Sequence, residues 1–138
     1  MSSQVSVVRY QAKDQRKIRS FEDLEVWQKS HAMVLSLYKI TAEFPKEERF
    51  GLTSQLRRAA VSVPANIAEG FTRRSLKDKI HFYNIAQASL HETKYYLILA
   101  RDLGFMSPKH DLWALSDEIG RMIHGLIYSL DRALKPYA

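Results

Sequence analysis

Apolar residues recur along this chain at steps of three and four, the repeat that lines one side of an α-helix. The first such run extends from about Glu22 to Phe44. One seam passes through Leu24, Trp27, His31, Val34 and Tyr38, and a second through Val26, Ser30, Met33, Leu37, Ile40 and Phe44. Pro45 closes the run, because a proline disfavours α geometry in the residue before it. Two seams on one helix call for more than one packing neighbour. A second run covers Thr53 to Phe71, with Leu56, Ala60, Val63 and Ile67 on one face and Pro64 in its interior. That proline has no N–H to donate and is expected to kink the helix, at a cost of ~3 kcal/mol in a regular interior. Ala59, Ala60, Ala65, Ala68 and Gly70 are small and predict tight packing around it.

Ser75, followed three residues later by Asp78, has the spacing of an N-cap with a reciprocal acid and predicts the start of a third helix. This helix runs to Leu103 and stops at Gly104, the residue type that enters the left-handed region at least cost. Its apolar residues, from Leu76 and Ile80 through Tyr83, Ala86 and Leu90 to Leu97 and Ala100, cover more than one stripe and predict a central position. Ser107-Pro108 reads as a cap and first-turn proline, so a fourth helix is expected from Pro108 to Leu134, with Pro136 beyond it. Four long helices with short links predict an all-α, antiparallel up-down-up-down four-helix bundle spanning residues 21–138. No segment of period two and no internal repeat competes with it.

Composition narrows the chemistry. A chain of 138 residues, 46% hydrophobic and 26% charged, suits one packed domain. It has no cysteine, which excludes a disulfide framework, a thiolate metal site and a cysteine nucleophile. No apolar run has the length of a signal h-region or a membrane span, so a cytoplasmic protein with no membrane partner is expected. The net charge of +6 is uneven. Residues 1–20 hold five of the 21 basic residues (Arg9, Lys13, Arg16, Lys17, Arg19) and one of the 15 acidic ones, leaving 16 against 14 for the rest. Lacking helical seams, residues 1–20 read as a flexible basic arm. Its removal is expected to leave folding intact, and its charges suit phosphates or an acidic partner.

The string Gln55-Leu-Arg-Arg-Ala-Ala-Val-Ser-Val-Pro-Ala-Asn-Ile-Ala-Glu-Gly70 resembles the signature of the four-helix proteins encoded in 23S rRNA intervening sequences. The likeness extends to Phe21–Trp27 and Phe82–Glu92, and the group is similar in turn to the Avd accessory proteins of diversity-generating retroelements. The resemblance implies a four-helix bundle assembled as a homopentamer. From the Avd side it also implies binding to nucleic acid and to a reverse transcriptase.

The densest basic stretch contains Arg57, Arg58, Arg73, Arg74, Lys77 and Lys79 against only Glu69 and Asp78, and is the candidate nucleic-acid-binding surface. Repetition around a ring would multiply its field. Pro64, Asn66, Glu69 and Glu92 are read as structural or interface residues. Asn66 and Glu69 are placed to satisfy the carbonyl that Pro64 leaves without a donor, and Glu92 to pair with Lys94 or Arg101. Tyr95 and Tyr96 are candidates for contact with a protein partner. A di-metal site in a bundle needs Glu-x-x-His motifs on two helices, and Asp78-x-x-His81 is a single imitation, so neither metal nor cofactor is expected. Arg74 and His81 have the spacing of the Arg-x(4–6)-His motif of HEPN-like ribonucleases, the one enzymatic alternative. The residues favour a binding protein without catalysis, for RNA or DNA, or else a protein scaffold, and the resemblance implies that it is homo-oligomeric.

Overall fold

A computed structural model describes residues 17–135. Helices α1 (Glu25–Thr41), α2 (Leu52–Thr72), α3 (Leu76–Asp102) and α4 (Leu112–Leu134) make up the bundle, with short 3-10 turns at Phe21–Asp23 and Lys46–Glu48. There is no strand among the described residues. The helices form a ring in chain order, α1 against α2, α2 against α3, α3 against α4 and α4 against α1, and neither diagonal pair meets. The expected central place of α3 is therefore not found: each helix sits at a corner and turns one side to the common core. Met33, Leu37, Leu56, Ile67, Leu90, Leu97, Ile119, Met122 and Ile123 fill that core and are fully buried.

The expected element ends hold where the signal is a local backbone requirement. Ser75 Oγ accepts the Asp78 N–H at 3.0 Å and caps α3. Gly104 takes φ +83°, its N–H reaches Arg101 O at 2.9 Å, and the Phe105 N–H reaches Ala100 O at 2.8 Å, a Schellman closure of α3. Two ends differ. The first run breaks at Leu24, whose extended backbone (φ −78°, ψ 128°) sends a buried side chain into the core, so α1 proper begins at Glu25. Ahead of the break, Ser20 and Asp23 form a capping box around the first 3-10 turn. The fourth helix begins at Leu112 rather than Pro108: His110 Nδ1 accepts the Leu112 N–H at 3.0 Å, and Ser107 O accepts the Trp113 indole N–H at 3.1 Å. These side-chain bonds hold Ser107–Asp111 as a turn, which the Ser-Pro pair alone does not reveal.

Of the expected arm, residues 1–16 lie outside the described residues. Ile18 packs against the core and Ser20 is the cap just named, so the folded unit reaches further toward the N-terminus than Phe21.

The α2–α3 pair makes the most extensive contact in the bundle, and small residues face each other there. A Cβ at Gly70 would come 2.5 Å from the Tyr83 ring, and Ala60 and Ala86 are fully buried. Tyr83 is 3% exposed, and burial pushes its hydroxyl up to about 12. α2 runs unbroken through the buried Pro64.

Candidate nucleic-acid interface

The six basic candidates do not form one patch. Arg57 and Arg58 lie near the start of α2, while Arg73, Arg74, Lys77 and Lys79 gather at the α2–α3 turn. Helical rise puts these two groups roughly 20 Å apart.

Three of the six are engaged within the fold. Arg57 Nε donates to Thr41 Oγ1 at 2.8 Å and Nη2 to the Tyr38 carbonyl at 3.3 Å, with the guanidinium 4.3 Å from the Tyr38 ring centroid. It thus ties α2 to the C-terminal end of α1, where a cation is favoured, adding to the N–H that Ala42 donates to the same Tyr38 carbonyl. Lys79 does the same for α2, donating from Nζ to Phe71 O at 2.7 Å and Gly70 O at 3.3 Å, and partial burial lowers its pKa. Arg73 is ion-paired with Glu69 at 2.7 Å and lies 4.5 Å from the Phe82 ring centroid. Arg58, Arg74 and Lys77 are exposed and have no polar partner among the described residues.

The structural candidates also find other partners than expected. Asn66 Nδ2 donates to Ser62 O at 2.8 Å and Ser62 Oγ at 3.0 Å, not to the carbonyl of Ala60, which Pro64 leaves without its helical donor. A helical side chain folds back over the preceding turn, which brings Asn66 to residue i−4 and leaves i−6 out of reach. Glu69 serves Arg73. Glu92 pairs with neither Lys94 nor Arg101; its Oε2 accepts the Tyr96 hydroxyl at 3.0 Å, a bond that raises the Tyr96 pKa ahead of smaller contributions from burial and from the Glu92 and Tyr95 charges. Lys94 instead reaches across to Asp117 on α4 at 2.7 Å, and Arg101 takes its neighbour Asp102 at 2.9 Å. Tyr95 is exposed beside Tyr96, with ring centroids 5.8 Å apart. Arg74 has no contact with His81, which lies edge-on to Phe82 with centroids 5.2 Å apart. No three His, Asp or Glu side chains among the described residues are grouped closely enough to hold a metal ion.

Hollows line the outer side of α2 that were not apparent from the sequence, and besides one of about 370 Å³ along Tyr38, Arg57 and Val61 there are two of contrasting character. One is polar, about 310 Å³ between α2 and α3, and lined by Gln55, Arg58, Ala59, Ser62, Ser89 and Glu92. Ser62 Oγ and Ser89 Oγ are 2.7 Å apart across its floor. The other is apolar, about 290 Å³ between α1 and α2. It is walled by Trp27, His31, Val34, Val61, Pro64 and Ala68 together with Phe21 and Ala65, with Trp27 and His31 stacked at 5.1 Å. Here the first seam of α1 opens outward: Leu24 and Val34 are buried while His31 and Tyr38 are exposed. A serine in each of two facing helices is the sequence signal for the polar hollow, but it has force only once the helix pairing is known.

The model of the 23S rRNA-intervening sequence protein family matches residues 22–125. Among solved structures, a protein of unknown function from the S23 ribosomal protein family of Bacteroides thetaiotaomicron is 26% identical and superimposes with a TM-score of 0.69. That comparison covers 74% of this chain and 97% of the other. No curated protein matches. No helix among the described residues is long and apolar enough to cross a membrane.

Proposed function

The chain belongs to the 23S rRNA-intervening sequence protein family, and from that premise we propose that it is a non-enzymatic, homo-oligomeric accessory protein that binds nucleic acid. The observation that supports this reading is the set of exposed, unpartnered cations, Arg58, Arg74 and Lys77, left over after Arg57, Arg73 and Lys79 are taken up by helix ends and an ion pair. A cation without an intramolecular partner gives up no internal bond on meeting a phosphate, and release of the phosphate's counterions favours the encounter. One subunit offers only a few such groups, so the reading includes assembly, as a pentamer, in which they recur around an axis. The resemblance to retroelement accessory proteins makes a reverse transcriptase-like protein the proposed partner.

Fluorescence anisotropy of labelled RNA and DNA, titrated at low and near-physiological salt, tests it. Affinity is expected to fall steeply with salt. In the doubly substituted R74A/K77A the salt slope is expected to shrink by about two for each subunit that engages B-form DNA, one for each phosphate that is no longer neutralised. No binding at either salt overturns it.

A second reading, a scaffold that recruits protein, is favoured by the apolar hollow of Trp27, Val34 and Val61 beside the exposed Leu35 and Tyr38. Binding through that face is expected to be insensitive to salt, which separates the two readings.

A further inference from the structure

The polar hollow between α2 and α3 has a construction that the basic-patch reading does not use. Ala59, Ser62 and Ser89 are short, so the floor is low where the two helices approach, and the longer Gln55, Arg58 and Glu92 stand around it. The two serine hydroxyls share one hydrogen bond between them, which leaves one hydroxyl proton to donate elsewhere. The rim carries a cation and a carboxylate that are not ion-paired with each other. Glu92 is held from one side by Tyr96 through Oε2, with Oε1 free to accept.

This arrangement restricts the ligand. A bare anion would meet Arg58 but face the Glu92 charge, and a bare cation the reverse. An apolar molecule would strip water from the hydroxyls and charges without replacing their hydrogen bonds. A ligand with an anionic group at one end and neutral hydroxyl donors at the other satisfies both ends of the rim and the floor. The volume is at the lower limit for small-molecule pockets, suited to one compact unit.

We propose that this cleft binds a ribose phosphate unit, Arg58 taking the phosphate and Glu92 a ribose hydroxyl, with Ser62 and Ser89 beneath the sugar. The unit comes either from a free phosphorylated pentose or from the backbone of an RNA strand. In the second case the proposal rests on the nucleic-acid reading above and adds to it a preference for RNA, since the 2′-hydroxyl is what distinguishes RNA from DNA at a site of this kind.

Isothermal titration with ribose 5-phosphate, 2-deoxyribose 5-phosphate, inorganic phosphate and O-phosphoserine tests the cleft directly. In parallel, anisotropy with an RNA and a DNA oligomer of one sequence tests the strand. Ribose 5-phosphate is expected to bind about ten-fold more tightly than its deoxy counterpart, the effect of one missing hydrogen bond to a charged group. Arg58→Ala should abolish binding of both sugars, and Glu92→Ala should remove the difference between them. Both side chains are exposed, and a melting curve for each variant verifies that the fold is kept. If E92A also makes RNA and DNA bind alike, the source is an RNA strand. If the sugar phosphate binds while R58A leaves oligomer affinity unchanged, the source is a free phosphorylated pentose. Equal affinity for ribose and deoxyribose phosphates, tighter binding of O-phosphoserine, or no heat up to about 10 mM ligand, beyond the millimolar affinity that ~4 kcal/mol of binding energy supplies, each overturns the proposal. Arg58 belongs to both readings, but the share of salt-dependent binding carried by Arg74 and Lys77 is read separately in R74A/K77A, so the cleft and the basic turn can fail separately.

Discussion

Gly70 and Tyr83 are the residues on which the close approach of α2 and α3 depends. An added Cβ at Gly70 would stand 2.5 to 3.0 Å from three atoms of the Tyr83 ring, which is buried and has little room to retreat. Gly70→Ala, which would ordinarily favour a helix, is therefore expected to destabilise the protein by about 1–3 kcal/mol through overpacking. Urea melts of G70A, and of G70A combined with Tyr83→Leu, verify this: the second change should restore part of the stability, and an unchanged G70A midpoint would show the packing to be relaxed. Tyr83 also makes a pH prediction. Its hydroxyl titrates near 12 in the fold against 10 when exposed, so its contribution is fully present below pH 10 and is lost as pH rises through 12, because the unfolded chain ionises first. The two-unit difference corresponds to about 2–3 kcal/mol. The alkaline fall in stability should be shallower in Tyr83→Phe by that amount, measured as the difference between the two proteins' pH–stability curves so that the other tyrosines and lysines cancel.

At the scale of the elements, helix ends are held by residues distant in the chain as often as by their own caps. Arg57, sixteen residues after Thr41, closes α1, and Lys79 closes α2 from the next helix. Of the two adjacent arginines in the Arg57-Arg58 pair, one is structural and the other is free, and successive helical positions 100° apart account for that division. The 3-10 turn before α1 depends on Ser20 and Asp23, and Ile18 packs on the core. A protein beginning at residue 17 is compared with one beginning at residue 21 to isolate this segment. The second should be less stable by about 1–2 kcal/mol, because it lacks the cap and the apolar side chain of Ile18, read as a lower thermal midpoint. Equal midpoints would show that the domain begins at Phe21 after all.

At the scale of the molecule, one outer face, that of α2 with its neighbours, carries both hollows and the free Arg58. The apolar hollow is the surface best suited to the assembly proposed above, since the exposed Val61 lines it together with Trp27 and Val34. Val61→Glu is expected to lower the mass measured by light scattering while helicity and melting are retained, because the side chain is outside the subunit core. An unchanged mass would put the subunit interface on another face.

The four helices were legible in the sequence because their seams, Ser75 and Gly104 act through local backbone geometry, which needs no partner. The family was legible for a related reason: a proline within an alanine-rich helix, followed by Asn66-Ile67-Ala68-Glu69-Gly70, is an unusual string. The start of α4 was not legible, because His110 and Trp113 rather than the Ser107-Pro108 pair decide it. Nor was the candidate surface. Six cations close in sequence became two groups, half of them satisfied internally, and Glu92 found a tyrosine rather than a lysine. Periodicity states which side of a helix is apolar; it does not state which of two apolar seams is covered, or which charge has found a partner. Those are consequences of how the helices pair, and pairing brings together residues such as Ser62 and Ser89, twenty-seven positions apart, that no local rule connects.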